Sequence, residues 1–390
     1  MAYQPLDFFN IEELLSEEEI IIRDTVRKFV DKEVLPIIAE HWEAATFPKA
    51  LIPKLGELGV FGPFVPAKYG GAEASYTVYG LICQELERGD SGVRSFASVQ
   101  GSLVMYPIWK FGSEEQKMEY LPKLASGEIV GCFGLTEPDA GSDPRSMITR
   151  AHKDGTHWIL NGTKMWITNG TISDIAVVWA KDDEGKIRGF VVHKDDKGYS
   201  APEQKHKVSL RASVTSELVL EDVRIPADRE LPDTSDLKSP LMCLTSARYG
   251  IAWGAVGVLQ GLLDEAINYS KERIMFGKPI ASFQLTQQKL AEIATDLTGA
   301  QTMAYRVGRL ADEGKMKHYH VSMIESNNVN AALIAARKVR SILGANGIAL
   351  EYQAIRHMCN LESVQTYEGT FEVHTLILGE QLTGISAFKG

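Results

Sequence analysis

The stretch WILNGTKMWITNG, residues 158–170, marks the place where the chain changes from helical to β patterning. Two apolar runs in it are separated by Asn161-Gly162, and an Asn-Gly pair between apolar runs is the strongest short-range signal for a β-hairpin. Further runs rich in β-branched residues follow: IAVVWA (175–180), GFVVH (189–193) and SELVLEDVRIP (216–226). The sequence therefore predicts a β-domain of short antiparallel strands over residues 131–226.

The segments on both sides of this region show helical periodicity. Ser16 and Glu19 have the spacing of a capping box, ahead of apolar residues at helical intervals. Later candidate helices cover 242–275, 284–313, 318–347, 351–366 and 370–384. We predict an α+β multidomain fold with an N-terminal helical domain (1–130), a middle antiparallel β-domain (131–236) and a C-terminal helical bundle (237–390).

Composition narrows the class of protein. At roughly 150 residues per domain, 390 residues suggest two or three domains. The net charge of −10 disfavours bulk nucleic-acid binding, and no apolar run reaches the length of a membrane span. The N-terminal residues resemble neither a signal nor a transit peptide. We expect a cytoplasmic protein of a bacterium or archaeon, or a mitochondrial matrix protein if the chain is a processed eukaryotic one.

The motif search excludes several kinds of site. The sequence has no G-x-G-x-x-G after a strand, no P-loop and no G-x-S-x-G elbow. Gly254, Gly257 and Gly261 lie in a helical pattern and predict close helix packing. The spacing of His318 and His320 does not place both on one helix face, so they are not expected to bind a metal together. We expect both histidines at the surface. The four cysteines form no CxxC pair, so we expect buried, reduced thiols and no metal site.

Three short segments carry side chains suited to chemistry. In CFGLTEPDAGSD (132–143), Thr136 and Ser142 can hydrogen-bond a polar ring edge and a ligand arm, although an ordinary loop is the simpler interpretation. In KMWITNG (164–170), Trp166 and Thr168 are two apart on a strand and should share a face. That pair suits a flat heteroaromatic ligand, although a core tryptophan beside an edge threonine is equally ordinary.

The third segment is TYEGT (366–370), which lies between two helical patterns. A glutamate beside a glycine in a short linker can project into a cleft, and burial there would raise its pKa toward that of a general base. A surface role remains the default interpretation of Glu368 when the segment is taken alone.

Five segments in this order resemble the acyl-CoA dehydrogenase family over nearly the whole chain. They are LTEPDAGSD, MWITNG, ERIMFGKPI (272–280), ILGANGI (342–348) and TYEGT. Within the family, ELERGDSGVRS (85–95), SLRAS (209–213), ARYGIAWG (247–254) and TGISAF (383–388) are most similar to the branch that acts on glutaryl-CoA.

The resemblance implies that FAD binds between the β-domain and the C-terminal helices. By this resemblance Thr136 bonds the pyrimidine edge, Trp166 covers the ring and Thr168 bonds N5. It also implies that Arg273, Phe276 and Gln284 hold the pyrophosphate and adenine half of FAD in a neighbouring subunit. The remaining cofactor-binding residues that it implies are Phe133, Leu135, Gly141, Ser142, Ile167, Ser341, Gly344, Ala345, Thr370 and Phe388. Gly344-Ala345 stands where the family pattern has two glycines, which leaves less backbone room.

The resemblance also implies the catalytic arrangement. Glu368 is the base that removes the α-proton while the β-hydrogen passes as hydride to flavin N5. Arg94 and Ser95 are expected to hold a distal carboxylate. If the segment continues as one helix, which Gly92 disfavours, Glu87 lies seven residues earlier on the same face and can orient Arg94. The other substrate-binding residues implied are Ser142, Leu241, Arg248, Tyr367 and Gly369.

The activity implied is oxidative decarboxylation of glutaryl-CoA to crotonyl-CoA and CO₂, a step of lysine and tryptophan degradation. The implied partners are an electron-transfer flavoprotein as acceptor and further copies of the chain, in a homotetramer built as a dimer of dimers. The alternatives are a short-chain acyl-CoA dehydrogenase or oxidase, and a non-decarboxylating glutaryl-CoA dehydrogenase. A flavin-binding relative without activity and a helical interaction protein without cofactor are hypotheses of other classes.

Overall fold

The computed structural model describes residues 6–388. Within them, seven α-helices precede the first strand: α1 (Glu17–Phe29), α2 (Leu35–Ala44), α3 (Leu51–Glu57), α4 (Tyr76–Gly89), α5 (Ser91–Ser98), α6 (Tyr106–Phe111) and α7 (Glu114–Ser126). The capping box at the start of α1 is confirmed, since the Ser16 hydroxyl accepts from the Glu19 N–H and the Glu19 carboxylate accepts from the Ser16 N–H. Helix α4 is buried along almost its whole length, so it forms the centre of this helical layer.

The middle of the chain forms one mixed sheet. Its strands within the described residues are β1 (Gly131–Gly134), β2 (Arg150–Asp154), β3 (His157–Thr168), β4 (Ile175–Lys181), β5 (Ile187–His193), β6 (Tyr199–Ser200) and β7 (Thr215–Pro226). The order is β1-β4-β2-β3-β7-β6, with β5 paired to the other edge of β4. Because β1 runs parallel to β4, and β3 and β7 are 12 residues long, the expectation of only short antiparallel strands was wrong.

The hairpin predicted at Asn161-Gly162 was also wrong. Strand β3 passes through both residues, and the turn lies earlier, at Gly155, where Asp154 pairs with His157. Asn161 instead exchanges two hydrogen bonds with Asp222 of β7, each 2.9 Å. The β3–β7 register shifts beside this contact, so the Asn-Gly pair forms an irregularity within a long ladder.

The last part of the chain is helical, as predicted. Its elements are α8 (Lys238–Glu272), α9 (Gln284–Asp312), α10 (His318–Ile342), α11 (Gln353–Val364) and α12 (Phe371–Thr383), with a small hairpin of β8 (Ile274–Met275) and β9 (Lys278–Pro279). The predicted ends of two helices were too late. Helix α8 stops before the β8–β9 hairpin, and α10 stops before a 3₁₀ turn at Gly344–Ile348.

The glycines of α8 allow α4 and α8 to pack closely, as predicted. A Cβ on Gly254 would lie 1.7 Å from Oε2 of Glu87, and one on Gly257 would lie 1.8 Å from the carbonyl oxygen of Gln84. Any larger side chain at either position would push α4 away. This packing therefore fixes the position of Glu87.

The remaining expectations of the sequence have mixed outcomes. Cys83, Cys132 and Cys243 are buried, whereas Cys359 is partly exposed. His318 is exposed and His320 is half-buried. In the part of the chain that the structure describes, no helix has the length and apolarity to cross a bilayer, and no three His, Cys, Asp or Glu side chains group as metal ligands.

Candidate active site

Glu368 lies in the linker between α11 and α12, in a strained backbone conformation. Its φ is 55°, and Gly369 follows with φ 121°. A left-handed glutamate costs free energy that the surrounding contacts must offset, and such residues cluster at functional sites. Oε2 of Glu368 is buried and has no hydrogen-bond partner among residues 6–388. Burial, followed by the charge of the nearby Glu325, raises the pKa of the Glu368 carboxyl to about 8, although Arg94 and Arg248 act in the opposite direction.

Arg248 of α8 holds this linker in place. Its Nε donates to the carbonyl oxygen of Glu368. A Cβ on Gly369 would lie 2.8 Å from Nη2 of the same guanidinium, so the contact requires glycine at position 369. The buried Arg248 therefore fixes the backbone of Glu368 and Gly369.

Arg94 of α5 is fully buried and lies against the same linker. Its Nε donates to Oε2 of Glu87 at 2.6 Å, and its Nη2 donates to the hydroxyl of Tyr367. Its Nη1 is buried and has no partner in the described part of the chain. A buried guanidinium N–H without a partner is costly, so this position favours an anionic or strongly polar ligand atom.

The pairing of Glu87 with Arg94 was predicted, but the continuous helix was wrong. Helix α4 ends at Gly89, Asp90 is extended (φ −167°, ψ 140°) and α5 starts at Ser91. The Asp90 carboxylate caps α5 by accepting from the Gly92 N–H at 2.7 Å.

A network that sequence reasoning missed fixes this break. Asp90 accepts from Nη1 of Arg356 at 2.5 Å and from Nδ2 of Asn360 at 2.9 Å, both on α11. All three side chains are buried. The C-terminal helices thereby set the angle at which α5 presents Arg94 and the buried Ser95.

The LTEP and KMWIT segments lie side by side. The Met165 N–H donates to the carbonyl of Thr136 at 2.9 Å, and Lys164 donates to the carbonyl of Leu135 at 3.1 Å. Lys164 is fully buried and pairs with Glu137 at 2.8 Å. The structure therefore brings these two motifs together beside the C-terminal end of β3.

Trp166 lies at an irregular position of β3. A register shift separates Lys164 from Ile167, and Trp166 within it has φ 62°. The bulge leaves the indole 60% exposed while Ile167 is buried and Thr168 is partly buried. This pattern of exposure fits the predicted placement of Trp166 and Thr168 on one face with Ile167 on the other, although the strand is irregular at this point.

The other residues implied for the cofactor fall into two groups. Phe133 and Leu135 are buried, while Gly141 and Ser142 are exposed in the following loop. The exposed residues of the C-terminal part are Arg273, Phe276, Gln284, Ser341, Gly344, Ala345 and Phe388. Thr370 caps α12 by accepting from the Val373 N–H, and Leu241 is 40% exposed in the first turn of α8.

The exposed aromatic residues fit a flavin cofactor. Phe276 is 91% exposed in a left-handed turn between β8 and β9, three residues after the exposed Arg273. Lys289 donates to the Ser341 hydroxyl at 2.9 Å, which holds the start of α9 beside the end of α10. Large exposed aromatic surface and a nearby guanidinium suit a flat ring system and a diphosphate.

Two further buried polar residues, Glu325 and His374, also escaped the sequence reasoning. Glu325 of α10 and His374 of α12 are 2% exposed, and Oε2 lies 3.1 Å from Nε2. With Gly369 they line a small cavity behind the linker. Glu325 falls in the apolar stripe of α10 with Val321 and Ala332, and a charge in such a stripe was the available signal.

The chain combines a mixed sheet with N- and C-terminal helices that pack on each other through α4 and α8, and it holds a buried glutamate beside two arginines. These features define a class of enzyme. Three family models match the chain: acyl-CoA dehydrogenase N-terminal domain (residues 16–128), middle domain (132–223) and C-terminal domain (237–383). The chain belongs to the acyl-CoA dehydrogenase family and is an FAD-dependent member of it.

Individual relatives narrow the comparison. A crystal structure of a glutaryl-CoA dehydrogenase from Mycobacterium smegmatis in complex with FADH2 is 50% identical, with a TM-score of 0.97 over 99% of this chain and 100% of that one. The human mitochondrial short-chain specific acyl-CoA dehydrogenase is 36% identical over 94% of this chain and 90% of its own. A chain in the structure of the electron transferring flavoprotein of Acidaminococcus fermentans is 34% identical, covering 97% of this chain and 100% of that one (TM-score 0.92).

Proposed function

We propose that the protein is a decarboxylating glutaryl-CoA dehydrogenase. The observation that carries the proposal is Arg94, whose Nη1 is buried beside Tyr367 and Glu368 and has no partner among residues 6–388. A distal carboxylate would satisfy that nitrogen, whereas a monocarboxylic acyl chain would leave it unpaired. The likeness to a glutaryl-CoA dehydrogenase of 50% identity supports the same substrate.

The first step of the proposed reaction is proton removal by Glu368. The thioester acidifies the α-carbon, and a carboxylate whose pKa is about 8 is a stronger base than an ordinary glutamate. Arg248 keeps the carboxyl directed by holding the Glu368 carbonyl, while Leu241, Ser142 and Gly369 border the thioester. FAD, when bound, supplies the acceptor for the two electrons of the β-hydride.

The second step is loss of CO₂ from glutaconyl-CoA. The bond between the γ-carbon and its carboxylate breaks, and its electron pair delocalises into the unsaturated thioester as a dienolate. Glu368, now carrying the α-proton, returns that proton to carbon and gives crotonyl-CoA. Arg94, oriented by Glu87 and Tyr367 and flanked by Ser95, holds the carboxylate before it leaves.

The cofactor contacts remain part of the proposal. Thr136, Trp166 and Thr168 are proposed to meet the flavin ring, with Phe133, Leu135, Gly141, Ser142, Ile167 and Thr370 around it. Arg273, Phe276, Gln284, Ser341, Gly344, Ala345 and Phe388 are proposed to hold the pyrophosphate and adenine half across a subunit interface. Exposed apolar side chains at Phe276, Leu285 and Leu382 support such an interface in a homotetramer.

An electron-transfer flavoprotein is the proposed electron acceptor. The support is the similarity to a chain in the structure of the electron transferring flavoprotein of Acidaminococcus fermentans.

A dehydrogenase for short monocarboxylic acyl-CoAs is the second candidate. The 36% identity with the human short-chain enzyme favours it. The two candidates differ in what Arg94 does, because a monocarboxylic substrate has no group to pair with its Nη1.

Arg94 variants test the proposal by comparing glutaryl-CoA with butyryl-CoA in the FAD-loaded enzyme. Arg94→Gln should lower kcat/KM for glutaryl-CoA by about 100-fold or more and that for butyryl-CoA far less, since a buried charge pair is worth about 3 kcal/mol or more. Arg145→Gln, which removes an exposed arginine, is the control and should leave both values unchanged. Equal losses for the two substrates, or none, would overturn the dicarboxylate assignment.

A further inference from the structure

Glu325 is a buried carboxylate that the proposed chemistry does not use. It lies in α10 at a position where its neighbours on the helix face, Val321, Asn328 and Ala332, are all buried. Neither carboxylate oxygen makes a hydrogen bond of good geometry within residues 6–388. Leaving a carboxylate in such surroundings is costly, so its presence requires a reason other than packing.

Among the described residues, the cation-capable side chain within ion-pair distance of Glu325 is that of His374. Nε2 lies 3.1 Å from Oε2 of Glu325, close enough for an ion pair although the angle is poor for a hydrogen bond. The ring also lies against the catalytic linker, because a Cβ on Gly369 would be 3.3 Å from Cε1 of His374. Glu325 and His374 are thus packed against the linker that carries Glu368.

Charged and titratable groups face Glu368 from five helices and from its own linker. They are Glu87 of α4, Arg94 of α5, Arg248 of α8, Glu325 of α10, His374 of α12 and Tyr367 of the linker. Glu87 is neutralised by its pairing with Arg94, and both arginines favour ionised Glu368. Burial raises the pKa of Tyr367 beyond the working range, so its hydroxyl stays protonated. Among the described residues, Glu325 is the carboxylate whose negative charge raises the pKa of Glu368.

Two carboxyls in one poorly solvated region do not ionise independently. Burial raises the pKa of Glu325 as it does that of Glu368, and His374, Arg248 and Arg94 all oppose that rise. When Glu325 is ionised, removing the proton from Glu368 costs more free energy. The carboxyl of Glu368 then holds a proton more tightly than its burial alone would dictate.

We propose that Glu325, partnered by His374, is a positioning residue that strengthens the proton affinity of the catalytic carboxyl Glu368. The inference rests on the proposed function, in which Glu368 takes the α-proton. It assigns a role to a residue on a different helix that touches neither substrate nor flavin. The role is to make Glu368 both a stronger base and a proton carrier that can return its proton to carbon.

The test is the dependence of kcat/KM on pH in the FAD-loaded enzyme with glutaryl-CoA and an artificial acceptor. Glu325→Gln removes the charge and should move the acid limb to lower pH by roughly half a unit or more. Glu325→Leu removes the same charge, suits the apolar stripe and should give the same shift. Glu325→Asp keeps the charge and should retain the wild-type profile, and so should the surface control Glu313→Gln.

Two results would overturn the inference. One is an unshifted acid limb in a folded, flavin-loaded Glu325→Gln or Glu325→Leu enzyme. The other is a shift in Glu325→Asp as large as that in Glu325→Gln, since the effect would then come from packing. The Glu368→Gln variant distinguishes an error in the role of Glu325 from an error in the proposed function. If Glu368→Gln keeps turnover, the base assignment falls; if it is inactive while the Glu325 variants are unshifted, only the role of Glu325 falls.

Discussion

At the scale of single residues, the active site depends on groups held in costly states. Glu368 has left-handed backbone torsions, Arg94 has a buried N–H without a partner in the described part of the chain, and Gly369 has room for no side chain beside Arg248. Each of these would be a defect in an ordinary core. Together they are what a site needs to bind an acidic substrate and remove a proton from carbon.

The raised pKa of Glu368 predicts the pH dependence of activity. Only the ionised carboxylate can accept the α-proton, and its pKa is raised to about 8 by burial. We therefore expect kcat/KM to fall on the acid side with an apparent pKa near 8, approaching a tenfold loss for each further pH unit. Steady-state kinetics with glutaryl-CoA measure this acid limb between about pH 6 and pH 9.5, a range that includes the raised pKa of Glu368. An acid limb centred near 5 would show that Glu368 has an ordinary pKa in the free enzyme.

At the scale of helices and strands, the α4–α8 contact connects packing to chemistry. Glu87 reaches Arg94 only because Gly254 leaves space for its carboxylate, 1.7 Å from where a Cβ would be. The break at Asp90 then turns α5 so that Arg94 returns toward α4.

Gly254→Ala should therefore disturb the site through the backbone. The added methyl group clashes with Glu87, and we expect a loss of about 1–3 kcal/mol in the free energy of unfolding together with weaker turnover of glutaryl-CoA. Gly299→Ala is the matched control, because nothing lies within 4 Å of that position on α9. It should be neutral or stabilise by up to about 1 kcal/mol. Denaturant unfolding and kinetics of both variants measure the difference, and equal behaviour would refute the packing argument.

Local signals in the sequence predicted some elements well and others poorly. The Ser16 capping box and the C-terminal helices depend on contacts within a few residues, so periodicity was sufficient. The Asn161-Gly162 pair failed because β7 offers Asn161 a partner in Asp222, and this long-range ladder outweighs the local turn preference. The irregularity of β3 at Trp166 was missed for a similar reason, since the register shift depends on the pairing with β7.

For the candidate site too, the sequence predicted some residues and missed others. Glu368 and the Glu87–Arg94 pair were expected, the first by its resemblance to a family motif and the second also by helical spacing. The contact of Asp90 with Arg356 joins residues that are 266 positions apart in the chain. The contact of Glu325 with His374 joins residues that are 49 positions apart. No local pattern contains such pairs, so only the fold could reveal them.

At the scale of the whole molecule, the exposed apolar surface of the C-terminal part predicts self-association. Phe276, Leu285, Leu382 and Ile385 are each at least 74% exposed in the single chain. Exposed apolar surface of this kind marks an interaction site where it forms a continuous patch, which is what we expect of these side chains. We expect light scattering to give the mass of a tetramer, and Arg273→Ala to weaken FAD retention on gel filtration. A monomer that keeps its FAD would contradict the cross-subunit role of Arg273.

The central claim, that the chain both oxidises and decarboxylates glutaryl-CoA, is tested most directly by product analysis. Purified FAD-loaded enzyme is incubated with glutaryl-CoA and an artificial electron acceptor, and the thioesters and CO₂ are quantified together. The account predicts one crotonyl-CoA and one CO₂ for every glutaryl-CoA consumed. Accumulation of glutaconyl-CoA without CO₂, or no turnover of glutaryl-CoA where butyryl-CoA reacts, would contradict it.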